Sequence, residues 1–331
     1  MTFPTFYQPD RIGTLFYPDV AAIAAEAATA DLPPAAQDKQ TIHLLIIDMQ
    51  VDFCHEGGSL YVPGAAGDIR RLSEFIFTHA EQLTGITCTV DSHLPFQIFH
   101  PNWWADEAGN HPDPFTLIGQ ADLAEGRWRP LVMPEFSKAY VAQLEQQAKK
   151  VLTIWPYHVL IGGVGNSLDG TIWSAVTWHG LARQSQPSYL QKGRVPQSEH
   201  YSAIQPEIEV PDHPQGQLHT GVLATLAEAD YLLVAGEAAS HCVLETLADL
   251  VKQWDRAQLE RVFVLRDCMS PVQHPAVDFA ALTEQAFAEF AAAGMQFVES
   301  TDALPFWAET AVNKTDAGET AVSGLQRMAD W

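Results

Sequence analysis

Cys242 is the first residue able to do covalent chemistry, in the segment GEAASHCVLETLADL. An apolar run there passes through small residues into a stretch of helical period. The dipole and free N–H groups at a helix start favour a thiolate and can hold an oxyanion. The same position also suits a small buried hydrophobe. Asp48, in LLIIDMQVDFC, follows a run of apolar residues. It is either a structural cap or a buried general base, whose pKa desolvation would raise toward a value suited to proton transfer. Asp91 and His93 stand two apart in Asp91-Ser92-His93. On an extended segment they face the same side and can meet one divalent ion. His158, in IWPYHV, and His100 are candidates to complete that set. A lone histidine is otherwise a satisfied core or surface residue. Lys192, in LQKGRV, is a solvated charge unless it lies near a thiol and a carboxylate, where it would stabilise developing negative charge.

These residues need elements to position them. Short apolar blocks recur at Ile42–Asp48, Gly85–Asp91, Tyr231–Glu237, Arg261–Asp267 and Met295–Ser300. Their length and continuous apolarity suit strands buried on both faces. Helical spacing occupies Asp68–Leu83 and Ser240–Trp254, and the Ala-rich Phe279–Ala293 is long enough for a helix. The alternation predicts an α/β fold, a three-layer α/β/α sandwich around a mainly parallel, Rossmann-like sheet. Ligands of such sheets bind beyond the carboxyl ends of the strands. Asp48, Asp91 and Asp267 each end a block, and Cys242 follows another; Asp267 is read as a cap or turn residue. Residues 1–40 read as an N-terminal extension, with an amphipathic helix in Val20–Ala30. Residues 41–300 read as the main α/β domain, with an insertion at about 101–150 that holds Trp103, Trp104, Trp128 and a helix-like Ser137–Lys150. Those aromatics are expected to fill a local core or a subunit contact rather than a substrate entrance. Residues 301–331 read as a C-terminal tail.

The 331 residues are 47% hydrophobic, enough for one large α/β domain. A net charge of −23 argues against polyanionic partners, nucleic acid and anionic membrane alike. The four cysteines, Cys54, Cys88, Cys242 and Cys268, form no CxxC pair, which suits a reducing compartment. The start of the chain lacks the basic flank and apolar core of a signal peptide. A cytoplasmic protein is the expectation, with a small-molecule partner and homo-oligomerisation left open.

The order of motifs (acid, DxH, WPxH, KG, HC) resembles the nicotinamidase/pyrazinamidase branch of the isochorismatase-like cysteine hydrolases over about Ile42 to Ser300. The resemblance implies a catalytic triad of Cys242, Asp48 and Lys192. It implies one divalent ion, zinc, iron or manganese, on Asp91, His93 and His158. It implies an oxyanion hole from the N–H groups of Ala238 and Cys242, with a cis peptide bond between Glu237 and Ala238. It implies that Phe53 and Trp155 sandwich a pyridine ring. The activity implied is hydrolysis of nicotinamide to nicotinate and ammonia through a thioester acyl-enzyme, a step of NAD salvage. The rival readings are a hydrolase of another amide or carbamoyl substrate, against which the ring-binding set speaks, and a non-catalytic ligand-binding module, which would have no use for the complete triad. The chain departs from the family after WPxH, where it reads VLIGGVGNSLDG, and at His100, one residue off the usual spacing of a fourth metal-site histidine.

Overall fold

The computed structural model describes residues 3–148, 150–274 and 277–307. Its centre is a sheet of strands β1 (Ile42–Ile47), β2 (Gly85–Asp91), β3 (Ser188–Lys192), β4 (Tyr231–Gly236), β5 (Val262–Leu265) and β6 (Gln296–Val298). All neighbours pair in parallel, in the order β6-β5-β4-β1-β2-β3. This doubly wound order reverses between β1 and β4, which leaves a crevice beyond their carboxyl ends.

The apolar blocks become strands because both faces are covered. Ile42, Leu44 and Ile46 of β1 point into one core, with Ile69, Leu72 and Ile76 of helix α2 (Ala65–Thr78). The same core takes Ile23 and Ala27 of α1 (Val20–Thr29), and Ile172 and Val176 of a helix over Gly170–Ala182. Leu45 and Ile47 point the other way, into a core with Val243, Leu247 and Leu250 of the helix over Cys242–Gln253 and Phe287 and Phe290 of the helix over Phe279–Ala293. In chain order these later helices are numbered after α3 (Pro134–Gln143): α4 (Gly170–Ala182), α5 (Thr220–Ala227), α6 (Cys242–Gln253) and α7 (Phe279–Ala293). The expected three-layer α/β/α sandwich is the architecture observed. Spacing of three to four residues puts Val243, Leu247 and Leu250 on one side of α6, each worth roughly 1.5–3 kcal/mol of burial. That packing fixes where Cys242, the first residue of α6, is presented.

Several boundaries differ from expectation. The helix expected at Asp68–Leu83 runs from Ala65 to Thr78, and Leu83 turns into the core ahead of β2. The helix expected at Ser137–Lys150 starts at Pro134, because proline suits the first turn, where its missing N–H costs nothing. Within the insertion, Trp104–Ala105 pairs with Arg129–Pro130 and Leu117–Ile118 with Leu152–Thr153, both antiparallel. Trp103 and Trp104 are buried, their indole N–H groups donating to Ser137 Oγ at 2.9 Å and to the Ile98 carbonyl at 2.6 Å. Near the chain start, Tyr7 packs edge-on against Phe77 at 5.2 Å. Of the tail, Phe306 stacks on Tyr231 at 4.1 Å, and residues 308–331 lie outside the described residues. Asp267 acts as a structural acceptor for the N–H and hydroxyl of Ser300, at 2.7 and 2.6 Å. No described helix is long and apolar enough to cross a membrane.

Candidate active site

Four strand ends converge on one buried point. Asp48 follows β1, Asp91 ends β2, Lys192 ends β3, and Cys242 begins the helix after β4. Lys192 Nζ lies 2.8 Å from Asp48 Oδ2, 3.5 Å from Cys242 Sγ and 3.2 Å from Asp91 Oδ1, and donates to the His200 carbonyl at 3.0 Å. All four side chains are buried. Burial disfavours the Lys192 ammonium, but the carboxylates of Asp48 and Asp91 outweigh it and hold its pKa well above that of a free lysine. Burial raises the Asp48 pKa against the pull of Lys192. Burial likewise pushes the Cys242 thiol well up, and the lysine beside it does not compensate. The helix start and the lysine led to the expectation of a favoured thiolate; desolvation reverses that balance, and the resting group is a thiol. Thr89 Oγ donates to Asp48 Oδ1 at 2.5 Å and accepts the Asp48 N–H at 3.0 Å, which fixes the carboxylate. The Glu237–Ala238 peptide bond is cis. Among the described residues neither the Ala238 nor the Cys242 N–H has an acceptor, so two donors stand free in the loop that leads into α6.

Asp91, His93 and His158 bring ligand atoms within 4.8 Å of one another, all buried. His93 Nδ1 donates to the Gly193 carbonyl at 3.1 Å and His158 Nδ1 to the Pro156 carbonyl at 2.8 Å. Each ring therefore turns Nε2 toward the cluster, as metal-binding histidines do when the other ring nitrogen donates to a carbonyl. Burial lowers the His158 pKa, with His93 adding to it, so that ring stays neutral. Burial acts the same way on His93, but Asp91 outweighs it and raises the ring's pKa. Asp91 is held well below the usual carboxylate range by His93 and Lys192, despite burial. His93 Nε2 faces Asp91 Oδ2 at 3.0 Å, a contact in which the protonated ring donates to the carboxylate and in which a divalent cation would take the place of that proton. The donor set fits one divalent ion and, without thiolate, does not select strongly among zinc, iron and manganese. His100 lies alongside, its ring 6.0 Å from His93 and 6.5 Å from His158, outside the ligand cluster.

No family model and no curated protein matches the chain in sequence. Solved structures do match. A nicotinamidase/pyrazinamidase from Acinetobacter baumanii superposes with a TM-score of 0.53 at 22% identity, over 81% of this chain and 100% of that one. The yeast nicotinamidase Pnc1p, bound to the inhibitor nicotinaldehyde, gives 0.54 at 17% identity over 78% and 100%. The chain has the nicotinamidase fold.

Within that fold, the ring-binding candidates flank the centre without stacking on each other. Phe53 packs edge-on to His158 at 5.5 Å; Trp155 packs edge-on to His241 at 5.4 Å and to Phe115 of the insertion at 5.9 Å. Tyr201 OH accepts the Trp155 indole N–H at 2.8 Å, a pairing that no motif or spacing marks. Gln50 stands two residues after Asp48, a spacing that marks it in the sequence as a companion of the site. Its amide accepts the Asp91 N–H and donates to the Asp91 carbonyl, both at 2.8 Å, and so ties β1 to β2. Thr89, two residues before Asp91 on the same face of β2, was open to the same period-two argument. Gly193 has a steric cause: with φ of +81°, a Cβ there would fall 2.3 Å from Asp91 Oδ1. Gly236 lets β4 crowd β1, since a Cβ would sit 2.1 Å from the Ile47 carbonyl.

Proposed function

We propose that the protein is a metal-assisted cysteine amidohydrolase that converts nicotinamide to nicotinate and ammonia. The observation that carries the reading is the reach of Lys192 to both Asp48 and Cys242, beside two unpaired backbone N–H groups. In a nicotinamidase reaction on this frame, the Asp48 carboxylate takes the Cys242 proton as sulfur attacks the carboxamide carbon. The raised pKa of Asp48 suits a base that must accept and return a proton. The oxyanion accepts from the Ala238 and Cys242 N–H groups, an interaction worth about 3–4 kcal/mol per donor in comparable sites. The Lys192 ammonium stays charged and offsets the negative charge. Asp48 then protonates the leaving nitrogen, ammonia departs, and water hydrolyses the thioester with Asp48 again as base. Phe53 and Trp155 bind the ring between them. A divalent ion on Asp91, His93 and His158 would supply a Lewis acid that fixes the ring nitrogen.

The small-molecule substrate, the absence of a nucleic-acid or membrane partner, and a place in the cytoplasm in NAD salvage belong to the same proposal. So does the division into an extension (1–40), a hydrolase domain (41–300) and a tail (301–331). The deciding assay is ammonia release from nicotinamide beside a panel of aliphatic and carbamoyl substrates, with and without chelator. Nicotinamide is expected to be the best substrate. Turnover of an aliphatic amide with none of nicotinamide would transfer the assignment to another amidase, and no turnover of any amide would leave only a binding protein.

A further inference from the structure

A second group of buried carboxyls lies behind the loop that carries Ala238. Glu237 is fully buried and follows Gly236 at the end of β4. Its N–H donates to the Ile47 carbonyl at 2.7 Å, its Oε2 accepts the Ser270 N–H at 3.3 Å, and its Oε1 is buried with no donor among the described residues. The group within hydrogen-bonding reach is another carboxyl, Asp68 of α2. Asp68 accepts from Arg71 Nη2 at 2.7 Å and from Ser270 Oγ at 2.6 Å. Two carboxyls side by side in a dry site do not both ionise, and one proton between them satisfies the orphan oxygen. Burial first, and then the Asp68 charge, holds the Glu237 pKa well above the ordinary range. The next residues of the loop are pinned to the same segment: the Ala239 N–H donates to the Ser270 carbonyl at 2.9 Å, and the Val272 N–H to Ser240 Oγ at 3.0 Å.

We propose that Glu237, held against Asp68 through Ser270, is a positioning residue that sets the Ala238 N–H at the reacting centre without touching substrate. The proposal rests on the amidase reading above. Both residues flanking Ala238 are held, Glu237 by Asp68 and Ser270 and Ala239 by Ser270 alone. Loss of the Glu237 carboxyl frees one side of the donor.

The test separates thiol chemistry from oxyanion chemistry. Nicotinaldehyde adds to the thiol: a carbon–sulfur bond forms, the carbonyl π bond opens, and the thiol proton ends on the new hydroxyl, so affinity depends on donors to that oxygen. Iodoacetamide alkylates the same sulfur with loss of iodide and a proton, and needs no oxyanion donor. Glu237→Ala is expected to weaken nicotinaldehyde binding and to lower kcat for nicotinamide by about 10-fold or more, with KM and the alkylation rate near wild type. Glu237→Gln is expected to restore both, because its amide N–H donates to Asp68 and its carbonyl accepts from the Ser270 N–H. Wild-type aldehyde affinity in Glu237→Ala overturns the proposal. So does an alkylation rate that falls in step with aldehyde affinity, or a Gln variant as impaired as Ala. Wild-type protein that neither binds the aldehyde nor hydrolyses any amide overturns the amidase reading along with it; with wild-type turnover intact, only the positioning role is at stake.

Discussion

Cys242 keeps its proton although Lys192 Nζ stands 3.5 Å from the sulfur, because removing water from a thiolate costs more than one neighbouring ammonium returns. The thiol is thereby inert until a base takes the proton, and Asp48 is the buried carboxylate joined to both groups. Asp48→Asn is expected to lower turnover by about 10²–10⁴-fold, since an amide cannot carry the proton. Cys242→Ala should leave only trace activity, because His241 is bulky and Ser240 lies earlier in the turn. Steady-state ammonia release across pH checks both. An Asp48→Asn variant with an unchanged pH–rate profile would reduce Asp48 to a cap. At this scale the sequence was legible where a reactive type sat at the end of an apolar block, as Asp48 and Asp91 do. Lys192 carried no such mark, and only the motif order placed it. Glu237 lay within a strand block and read as part of it; that it meets Asp68, far away in the chain, depends on tertiary contact.

The elements that bring these residues together show unevenly in the sequence, for physical reasons. The strands covered on both faces show as apolar blocks, and β2 was read at its observed bounds, Gly85–Asp91. The edge strand β3, SYLQK, is covered on one side only, and its mostly exposed residues show no apolar block. Yet β3 carries Lys192 to the centre. The insertion is tied to the site by an element contact that pattern reading does not reach. Lys150 Nζ lies 2.6 Å from both Glu207 and Glu245, which joins the end of the insertion to the segment after β3 and to α6. Burial, with Glu245 adding to it and Lys150 opposing, raises the Glu207 pKa from 4.5 to about 7. An acid whose folded pKa is raised keeps a proton that the unfolded chain has released. Its contribution therefore declines as pH rises from the unfolded value through the folded one. Stability is expected to fall across about pH 4.5 to 7, by at most about 1.4 kcal/mol per pH unit from this group. Glu207→Gln should flatten that slope while Lys150 stays paired with Glu245. Denaturant unfolding of both proteins at intervals across the window measures it, and parallel curves would show that Glu207 titrates normally.

At the scale of the whole molecule, the candidate metal ligands come from distant stretches of chain: Asp91 and His93 at the end of β2, His158 beyond the insertion. An unfolded chain has no such site, so an ion that binds here adds its binding free energy to the stability of the entire fold. At a free concentration one hundred times Kd the gain is about 2.7 kcal/mol. For a chain of this size that corresponds to several degrees in Tm. The wild-type protein is therefore expected to hold about one zinc, iron or manganese ion per chain and to lose several degrees of Tm to a chelator. His93→Ala should bind far less metal, and its Tm should no longer respond to chelator. The same variant should bind nicotinamide more weakly, since the ring nitrogen loses its anchor. Cys242 should still react with a small thiol reagent at close to the wild-type rate, because the ion is assigned to the ring and not to the sulfur. Metal analysis, thermal unfolding with and without chelator, and thiol-labelling rates supply readouts that do not depend on turnover. Wild-type protein with no metal, an unchanged Tm in chelator and undiminished hydrolysis of nicotinamide would remove the ion from the reading. The fall of the thiol-labelling rate in His93→Ala to that of a denatured or inaccessible cysteine would instead show that His93 holds the frame around Cys242 rather than an ion beside it.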